Sequence, residues 1–278
     1  MALLKLKGAV PPNKKSNSPK ATGIAKKGQV ESVLLERTRG MDTLPPNRHG
    51  FDLKGLQEII LERRATSHFK SDEVPLGVLD FILRLAGQAP SGYNLQPWRF
   101  IVVRTTGGRA RLKKAAMDQA KVSEAPVVII AVGMKQEPLQ MAEEILTEGA
   151  RKGVGSPQDA MAAVNQARKF LSQSPMNVWV NRHTMIAFTY LMLAAEACGY
   201  DTAPMEGFDP DAVKREFGIP DEGEVVALLA IGRMKEPDKA YPGRLPVHRI
   251  AFQESFGIAW PSFVTDSDDP SDTQSHNA

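Results

Sequence analysis

The sequence predicts an α+β fold in which helices cover both faces of a central sheet. Segments with apolar residues at helical spacing alternate along the chain with short, continuous apolar runs. Two of these runs, VVIIAV and VVALLAI, show no alternation of apolar and polar residues. Strands of that kind are buried on both faces, so helices must pack against each side of the sheet.

The first predicted elements are two helices, since apolar residues recur every three or four positions over Phe51–Arg63 and Pro75–Ala89. A strand follows at Trp98–Val103, which is short and rich in β-branched and aromatic residues. The pair Gly107-Gly108 predicts a break, after which a basic amphipathic helix covers Arg109–Val122.

The middle of the chain predicts a second strand and three further helices. The strand is Pro126–Val132, an apolar run, and the next two segments with helical spacing are Leu139–Gly149 and Pro157–Leu171. The longest helix covers Asn177–Cys198 and ends at Gly199, a residue that favours the left-handed conformation found after helices.

The last predicted elements are a short helix and a third core strand. Asp209 is a favoured N-cap residue, Pro210 suits the first helical position, and Gly218 suits the position after the helix. The strand is Glu224–Ile231, and no internal repeat is present.

Charge divides the chain into three parts. Residues 1–30 hold seven lysines and no acid, and residues 261–278 hold four aspartates and no Lys or Arg. Because the whole chain carries +3, the intervening residues 31–260 carry no net charge and show no nucleic-acid footprint. We expect a disordered basic extension over 1–50, one domain over 51–260 and a flexible acidic tail over 261–278. A solvated extension is favoured over a transit peptide or an electrostatic tether.

Composition favours a cytoplasmic protein without a membrane span or a metal site. The lone Cys198 cannot form an internal disulfide, and no Cys/His cluster has metal-ligand spacing. The longest apolar run, Thr184–Gly199, contains Glu196 and is too short to cross a bilayer.

The segment Ala89–Val103, APSGYNLQPWRFIVV, is the strongest candidate for a binding loop. Its Pro and Gly residues are turn formers, so backbone amides stand free at the edge of a rigid strand. Such a loop suits a flat ligand with polar edges. The alternative from these residues alone is an ordinary connection between a helix and a strand.

This loop resembles the signature loop of the nitroreductase family, the FMN-dependent NAD(P)H oxidoreductases. Three further motifs match in the expected order: LERRATSHF at Leu61–Phe69, APMEGFD at Ala203–Asp209 and GRLP at Gly243–Pro246. The resemblance covers about Phe51 to Gly257. It implies a nitroreductase-like central sheet flanked by helices and a homodimer that binds FMN at the subunit interface.

The resemblance also implies which residues hold FMN. Arg63 and Arg244 align with the family's phosphate-region arginines, and Arg64, Ala65 and Ser67 belong to the same region. Ala65 and Ser67 stand where Ser and a basic residue are common, and Pro242 replaces a Lys, so some donors are missing.

The remaining implied contacts surround the flavin ring. Pro204 is expected to fix a turn over Pro204–Gly207, which includes Met205. The backbone amides of Glu206 and Gly207 in this turn match donors to the reactive edge of the ring. Pro90, Ser91, Gly92 and Asn94 match a loop from the other subunit. Gln119 and Lys121 lie near the family's contacts to the pyrimidine side. The alternative interpretation of APMEGFD is a turn that caps the helix beginning after Asp209.

The function implied is ping-pong transfer of reducing equivalents from NADH or NADPH through FMN to a nitroaromatic, a quinone or a similar small acceptor. No dedicated protein acid or base is expected, because the chemistry belongs to the cofactor. We further hypothesise that Leu139–Pro175 covers the flavin and sets acceptor choice. Alternatives on the same scaffold are reduction of an enal or semialdehyde, a dehydrogenation, or flavin storage without turnover.

Overall fold

The computed structural model describes residues 53–236 and 242–261. These belong to two compact units, one containing residues 53–236 and the other residues 242–261. The extension predicted over 1–50 lies outside the described residues, as does the tail beyond Pro261.

A four-stranded antiparallel sheet forms the centre of the first unit. Its strands are β1 (Trp98–Val103), β2 (Val127–Met134), β3 (Asp201–Met205) and β4 (Gly223–Gly232). They lie in the order β1-β2-β4-β3, so the two most apolar strands are central and β1 and β3 are the edges. Every residue of β2 is buried, which confirms the prediction that the sheet is covered on both faces.

Helices pack against the two faces of this sheet. In chain order they are α1 (Leu53–Glu62), α2 (Leu76–Ala86), α3 (Thr106–Ala115), α4 (Ala120–Glu124), α5 (Glu137–Gln140), α6 (Ala142–Arg151), α7 (Pro157–Ser172), α8 (Met176–Ala197) and α9 (Pro210–Phe217). One face is covered by α3, α4 and α9. The other face is covered by α2 and α8. The α+β prediction is therefore confirmed.

The fourth strand, β3, was not among the three predicted strands. We expected Pro204 to form a turn, and that expectation is wrong because Pro204 pairs with Leu229 of β4. The position suits proline because β3 is an edge strand, where a residue without an N–H group removes no ladder bond if it faces outward. The carbonyl of Thr202, two residues earlier, accepts a hydrogen bond from Thr66 on that outer side.

The single helix predicted over Arg109–Val122 is also wrong, because the segment is two helices. Met117 and Asp118 both adopt φ of 52°, which no helix can accommodate, and they separate α3 from α4. The predicted break at Gly107-Gly108 is absent. Instead the Thr105 hydroxyl accepts a hydrogen bond from the Gly108 N–H at 3.1 Å and caps the start of α3.

The segment between β2 and α8 forms a helical layer with its own apolar cluster. We expected one helix over Leu139–Gly149, but the chain forms two, α5 and α6, joined at Met141. Helix α6 packs against α7, and the buried side of this pair meets the start of α8. Leu95, from the Ala89–Val103 segment, lies in the same cluster.

Residues 242–261 contain one short helix, α10 (Val247–Ile250), and a bridge between Phe252 and Ala259. None of the helices in the described parts of the chain is both long and apolar enough to cross a membrane.

Candidate functional site

The first part of the candidate site lies along the outer edge of β3. Ala65 forms a parallel bridge with Thr202, and the Thr66 N–H donates to the Thr202 carbonyl at 3.0 Å. This pairing places the residues that follow α1 beside the strand that leads into Glu206. Two motifs far apart in the sequence, LERRATSHF and APMEGFD, are thereby brought together.

The two arginines after α1 differ in their surroundings. Arg64 donates through Nη1 to the Arg63 carbonyl at 2.8 Å and also to the Leu61 carbonyl, so it caps the end of the helix. Arg63 is half-buried, and its Nη1 is buried without a hydrogen-bond partner among the described residues. A buried guanidinium nitrogen without an acceptor is unfavourable, and an anion would supply that acceptor.

The loop that follows β3 presents backbone N–H groups. The Phe208 N–H donates to the Glu206 carbonyl at 3.1 Å, and the Asp209 N–H donates to the Ala115 carbonyl at 2.7 Å. Within the described part of the chain, the N–H groups of Glu206 and Gly207 have no such acceptor. They are the two amides that the family resemblance assigns to the flavin edge.

The turn formed by Met117 and Asp118 brings Gln119 into contact with the loop that follows β3. Gln119, which follows the left-handed residues Met117 and Asp118, donates through Nε2 to the Gly207 carbonyl at 2.8 Å. The same Nε2 donates to Ala116 at 3.2 Å. Gln119 thus contacts the protein loop through its amide nitrogen and keeps Oε1 for another partner. Lys121 lies two residues further on, half-buried in α4.

The second part of the candidate site is the loop before β1. The Ser91 hydroxyl accepts from the Gln96 N–H at 2.9 Å, and the Ser91 carbonyl accepts from the Asn94 N–H at 3.0 Å. Tyr93 and Asn94 adopt φ of 54° and 55°, and Gln96 adopts 46°. Non-glycine residues in this region are strained, and such strain is concentrated at functional sites. Pro90 and Asn94 are exposed.

Sequence reasoning missed the aromatic support behind this loop. The Trp179 and His183 rings lie 4.4 Å apart, and both come within 3.5 Å of where a Cβ atom at Gly92 would lie. The His183 Nδ1–H donates to the Trp179 carbonyl at 2.8 Å. Their i, i+4 spacing on a helix was the available signal, but nothing in the sequence connects that helix face to the loop.

The two parts lie at opposite edges of the sheet within one chain. The loop at Pro90–Asn94 precedes β1, whereas Arg63–Ser67 and the Glu206–Gly207 loop flank β3. Strands β2 and β4 lie between them, which corresponds to three interstrand spacings, or about 14 Å. Arg244 belongs to the second unit, where it donates through Nη1 to the Gly243 carbonyl at 2.7 Å.

A half-buried carboxylate lies in the surroundings of Arg63. Burial raises the pKa of Glu196 above its ordinary value, and repulsion from Asp201 and Glu62 raises it further. Arg63 and Arg64 oppose this shift by stabilising the ionised form. The fold therefore disfavours ionisation of this carboxyl group, which lies in the surroundings of the arginine that the family resemblance assigns to the FMN phosphate.

Comparisons with known proteins agree with the fold. The model described as "Nitroreductase family" matches residues 60–233. A protein named NADH dehydrogenase from Thermus thermophilus is 36% identical over 192 residues, covering 68% of this chain and 91% of the relative. An oxygen-insensitive NAD(P)H nitroreductase of Salmonella typhimurium is 27% identical over 208 residues, covering 70% and 95%.

A solved structure shows the same architecture with a ligand. A protein of Exiguobacterium sibiricum, solved in complex with FMN, has a TM-score of 0.66 and 29% identity, covering 72% of this chain and 97% of that one. The fold and these matches define an α+β oxidoreductase. The chain belongs to the nitroreductase family, which confirms the resemblance drawn from the four motifs.

The residues present fit an FMN molecule at the edge of β3. The unpartnered Arg63 nitrogen suits a phosphate oxygen. Gly207 has no positive φ, and a Cβ atom there would lie 3.5 Å from Gln119 and 3.6 Å from Met117, which is ordinary contact. Neither the backbone nor packing within the chain therefore requires glycine, so an approaching ligand is the remaining reason for it. The assignment of individual residues to FMN stays a prediction.

Proposed function

We propose that this protein is an FMN-dependent oxidoreductase that carries reducing equivalents from NADH or NADPH to a small acceptor such as a nitroaromatic or a quinone. The observation that carries the proposal is the Ala65–Thr202 bridge. It places a buried, unpartnered Arg63 nitrogen and two unpartnered amides along the same strand. A phosphate and a flavin ring edge are the complementary groups within one molecule.

When bound, FMN would supply the redox chemistry between the nicotinamide and the acceptor, which we propose occupy the same pocket in turn. The protein's part in this ping-pong scheme is binding and electrostatics. The Glu206 and Gly207 amides would stabilise negative charge on the reduced ring. Gln119 would hold their loop in place through its bond to the Gly207 carbonyl.

The relatives support the cofactor and the co-substrate. Two of them are named for NADH or NAD(P)H, and the Exiguobacterium structure contains FMN. Together with family membership, these names favour flavin-based redox turnover over flavin storage. A cytoplasmic location stays part of the proposal, supported by the single cysteine of the chain.

We further propose a homodimer in which each FMN contacts both chains. The separation of about 14 Å between the two edges of the sheet favours supply of the Pro90–Asn94 loop by a second chain. Helix α8 also exposes an apolar stripe, with Val178, Ile186 and Tyr190 between 37% and 39% exposed. Their spacing of eight and four residues puts them on one face, which suits a helix-mediated contact.

The phosphate contact is tested with two ligands that differ only in the phosphate. We expect Arg63→Ala to weaken FMN binding about tenfold or more, since a charged hydrogen bond contributes roughly 1.5–3 kcal/mol. Riboflavin binding should change little. Arg244→Ala should behave alike, and Arg84→Ala, whose guanidinium pairs with Asp80 on the surface, is the control. Equal FMN affinity in the wild type and both test variants would contradict the proposed contacts of Arg63 and Arg244 with the FMN phosphate.

Turnover is tested separately on the FMN-loaded protein. Its yellow colour should bleach with NADH or NADPH and return when a nitroaromatic or a quinone is added. A colour that stays unchanged with both nicotinamides would instead indicate flavin storage.

A further inference from the structure

A small cavity lies where the chain passes from β1 into α3. Its volume is about 130 Å³, which is more than the roughly 10–15 Å³ that one ordered water needs and less than the roughly 300–1,000 Å³ of pockets for drug-sized ligands. Val74 and Val127, both buried, form an apolar part of its lining, and most of the other lining side chains are polar. The cavity therefore has room for a small polar group.

Arg109 lines this cavity and is held in place by the backbone. Its Nη1 donates to the Arg104 carbonyl and, at 3.1 Å, to the Pro126 carbonyl. Its Nε is buried, and neither Nε nor Nη2 has a hydrogen-bond acceptor among the residues that the structure describes. Because two carbonyls fix the guanidinium, donors of its planar fork are preorganised for an acceptor such as an oxyanion.

Arg104 adds a second guanidinium to the lining. It is half-buried, and within residues 53–236 and 242–261 its side chain has no ion pair or hydrogen bond. The lining also contains one acid, Glu73, which is exposed and forms no ion pair with either arginine in that part of the chain. Two guanidinium groups and one carboxylate leave one positive charge in excess, which favours an anionic ligand.

The start of α3 contributes further donors, since Thr106 also lines the cavity. The Thr105 hydroxyl accepts from the Gly108 N–H, whereas the N–H groups of Thr106 and Gly107 have no acceptor within the described chain. The dipole of this ten-residue helix favours negative charge at the same end. Backbone and side chains therefore present donors of the same sign to one small space.

We infer that this cavity binds a small oxyanion of the phosphate class between Arg104 and Arg109. This site goes beyond the proposed function and does not depend on it. Arg104 follows the edge strand β1, whereas Arg63 precedes the residues bridged to β3, and the two edges are about 14 Å apart. Ser71, from the segment before α2, lines the same cavity. A bound anion would thus join that segment to α3 and stabilise the folded chain by mass action.

The test measures binding of inorganic phosphate to the FMN-loaded protein by isothermal titration calorimetry. Chloride keeps the ionic strength constant, and the melting temperature at rising phosphate is the second measurement. Bound FMN prevents phosphate from binding where we propose that Arg63 holds the flavin phosphate. The wild type should bind phosphate and should melt at a higher temperature than it does in chloride.

Four variants separate the site from general surface charge. Arg104→Gln should raise the Kd for phosphate about tenfold or more, as expected for loss of a charged hydrogen bond. Arg109→Lys keeps the charge but loses the fork, and should also weaken binding. Glu73→Gln should lower the Kd about two- to fivefold, because it removes an exposed like charge. Arg111→Gln, whose guanidinium pairs with Glu216 on the surface of α3, is the control.

A parallel titration with glycerol 3-phosphate distinguishes two sources of the anion. Binding of inorganic phosphate alone would assign a site closed to esters, and binding of both would assign one that accepts the end of a larger phosphate ester. Both results support an oxyanion site.

Three results would overturn the inference. The first is a wild-type protein that neither binds phosphate nor melts higher in phosphate than in chloride. The second is an equal Kd in the wild type, Arg104→Gln and Arg109→Lys, and the third is an equal loss in Arg104→Gln and Arg111→Gln. Failure of the wild type to take up FMN would instead count against the proposed function, and the same titration would then use FMN-free Arg63→Ala protein.

Discussion

At the scale of single residues, neither the backbone conformation nor the packing of the chain requires glycine at position 207. Its φ is not positive, and the space above its Cα is bounded only by ordinary contacts to Gln119 and Met117. A methyl group fits there in the free protein. The same methyl group would project where we propose that the flavin edge approaches the Glu206 and Gly207 amides.

We therefore expect Gly207→Ala to fold with nearly unchanged stability and to bind FMN more weakly, by about tenfold for a lost close approach. Thermal unfolding of the FMN-free protein and fluorescence titration with FMN measure the two effects. Gly77→Ala is the control, since nothing lies within 4 Å of a Cβ atom there. Full FMN affinity in Gly207→Ala would mean that the ring does not approach this backbone.

Glu196 is the residue whose titration is linked to folding. Burial and neighbouring carboxylates raise its pKa above the ordinary value of 4.5. The folded chain therefore binds this proton more tightly than the unfolded chain does. The stabilisation is complete below the unfolded pKa and is lost as the pH rises through the folded pKa.

Glu196→Gln should remove this dependence. We expect the free energy of unfolding of the variant, measured with urea, to increase relative to that of the wild type as the pH rises from about 4 to 7. Glu143→Gln, the same change on the exposed side of α6, is the control. Parallel curves for the wild type and Glu196→Gln would contradict the raised pKa of Glu196 in the folded chain.

At the scale of elements, strong periodicity predicted most of the fold. Helix α8 was expected over Asn177–Cys198 and covers Met176–Ala197, and β1 was expected where it lies. The cap signals around α9 were also correct. The Asp209 side chain accepts from the Asp211 and Ala212 N–H groups, and Gly218 has φ of 63°.

The two main errors have local physical causes. Strand β3 is five residues long and contains Asp and Pro, which resemble a turn unless the neighbouring strand is known. The break between α3 and α4 depends on left-handed Met117 and Asp118, which have no glycine signal. The hydrogen bond from Gln119 Nε2 to the Gly207 carbonyl joins the end of that turn to a distant loop, and no pattern within the segment reports it.

Replacing either of two glycines by alanine should change the stability of the fold, in opposite directions. At Gly232 in β4, a Cβ atom would lie 2.6 Å from Pro126 Cδ and 3.0 Å from Phe69, so Gly232→Ala should destabilise the fold by about 1–3 kcal/mol. At Gly149 in α6 the nearest atom is 3.9 Å away. Gly149→Ala should stabilise by about 0.5–1 kcal/mol because alanine favours helices. Urea unfolding of both variants checks the signs, and a neutral Gly232→Ala would contradict the close packing there.

At the scale of the whole molecule, the sequence resemblance identified the motifs but not the distances between them in the fold. The structure joins Arg63–Ser67 to the Glu206–Gly207 loop through β3 and leaves the Pro90–Asn94 loop at the far edge. Spacing along the chain does not determine such placement, because strand order is set by pairing between distant segments.

Cofactor occupancy and dimerisation should therefore be linked, because a ligand bound only by the dimer stabilises it by mass action. We expect Ile186→Glu, on the exposed stripe of α8, to yield monomers that have lost FMN. Met161→Glu is the matched control, since Met161 is 44% exposed and Ile186 is 38% exposed. Sedimentation and flavin absorbance together measure both properties. FMN retained by Ile186→Glu monomers would show that one chain suffices.

Confirmed heterodimers give a sharper version of this experiment. When Asn94→Ala and Arg244→Ala chains are paired, one site should be intact and the other doubly damaged. High-affinity binding should return to about half of the sites. Absence of any recovery would contradict a site shared between chains.

The order of the strands along the chain also affects how the nascent chain folds. Strand β2 leaves the ribosome before residues 135–222, and only afterwards does its central partner β4 appear. During that interval the run VVIIAVGM has one unpaired edge, and long-range closure of this kind is slow. Nascent or refolding chains are thus most exposed to self-association through β2, and the yield of refolding should fall as protein concentration rises.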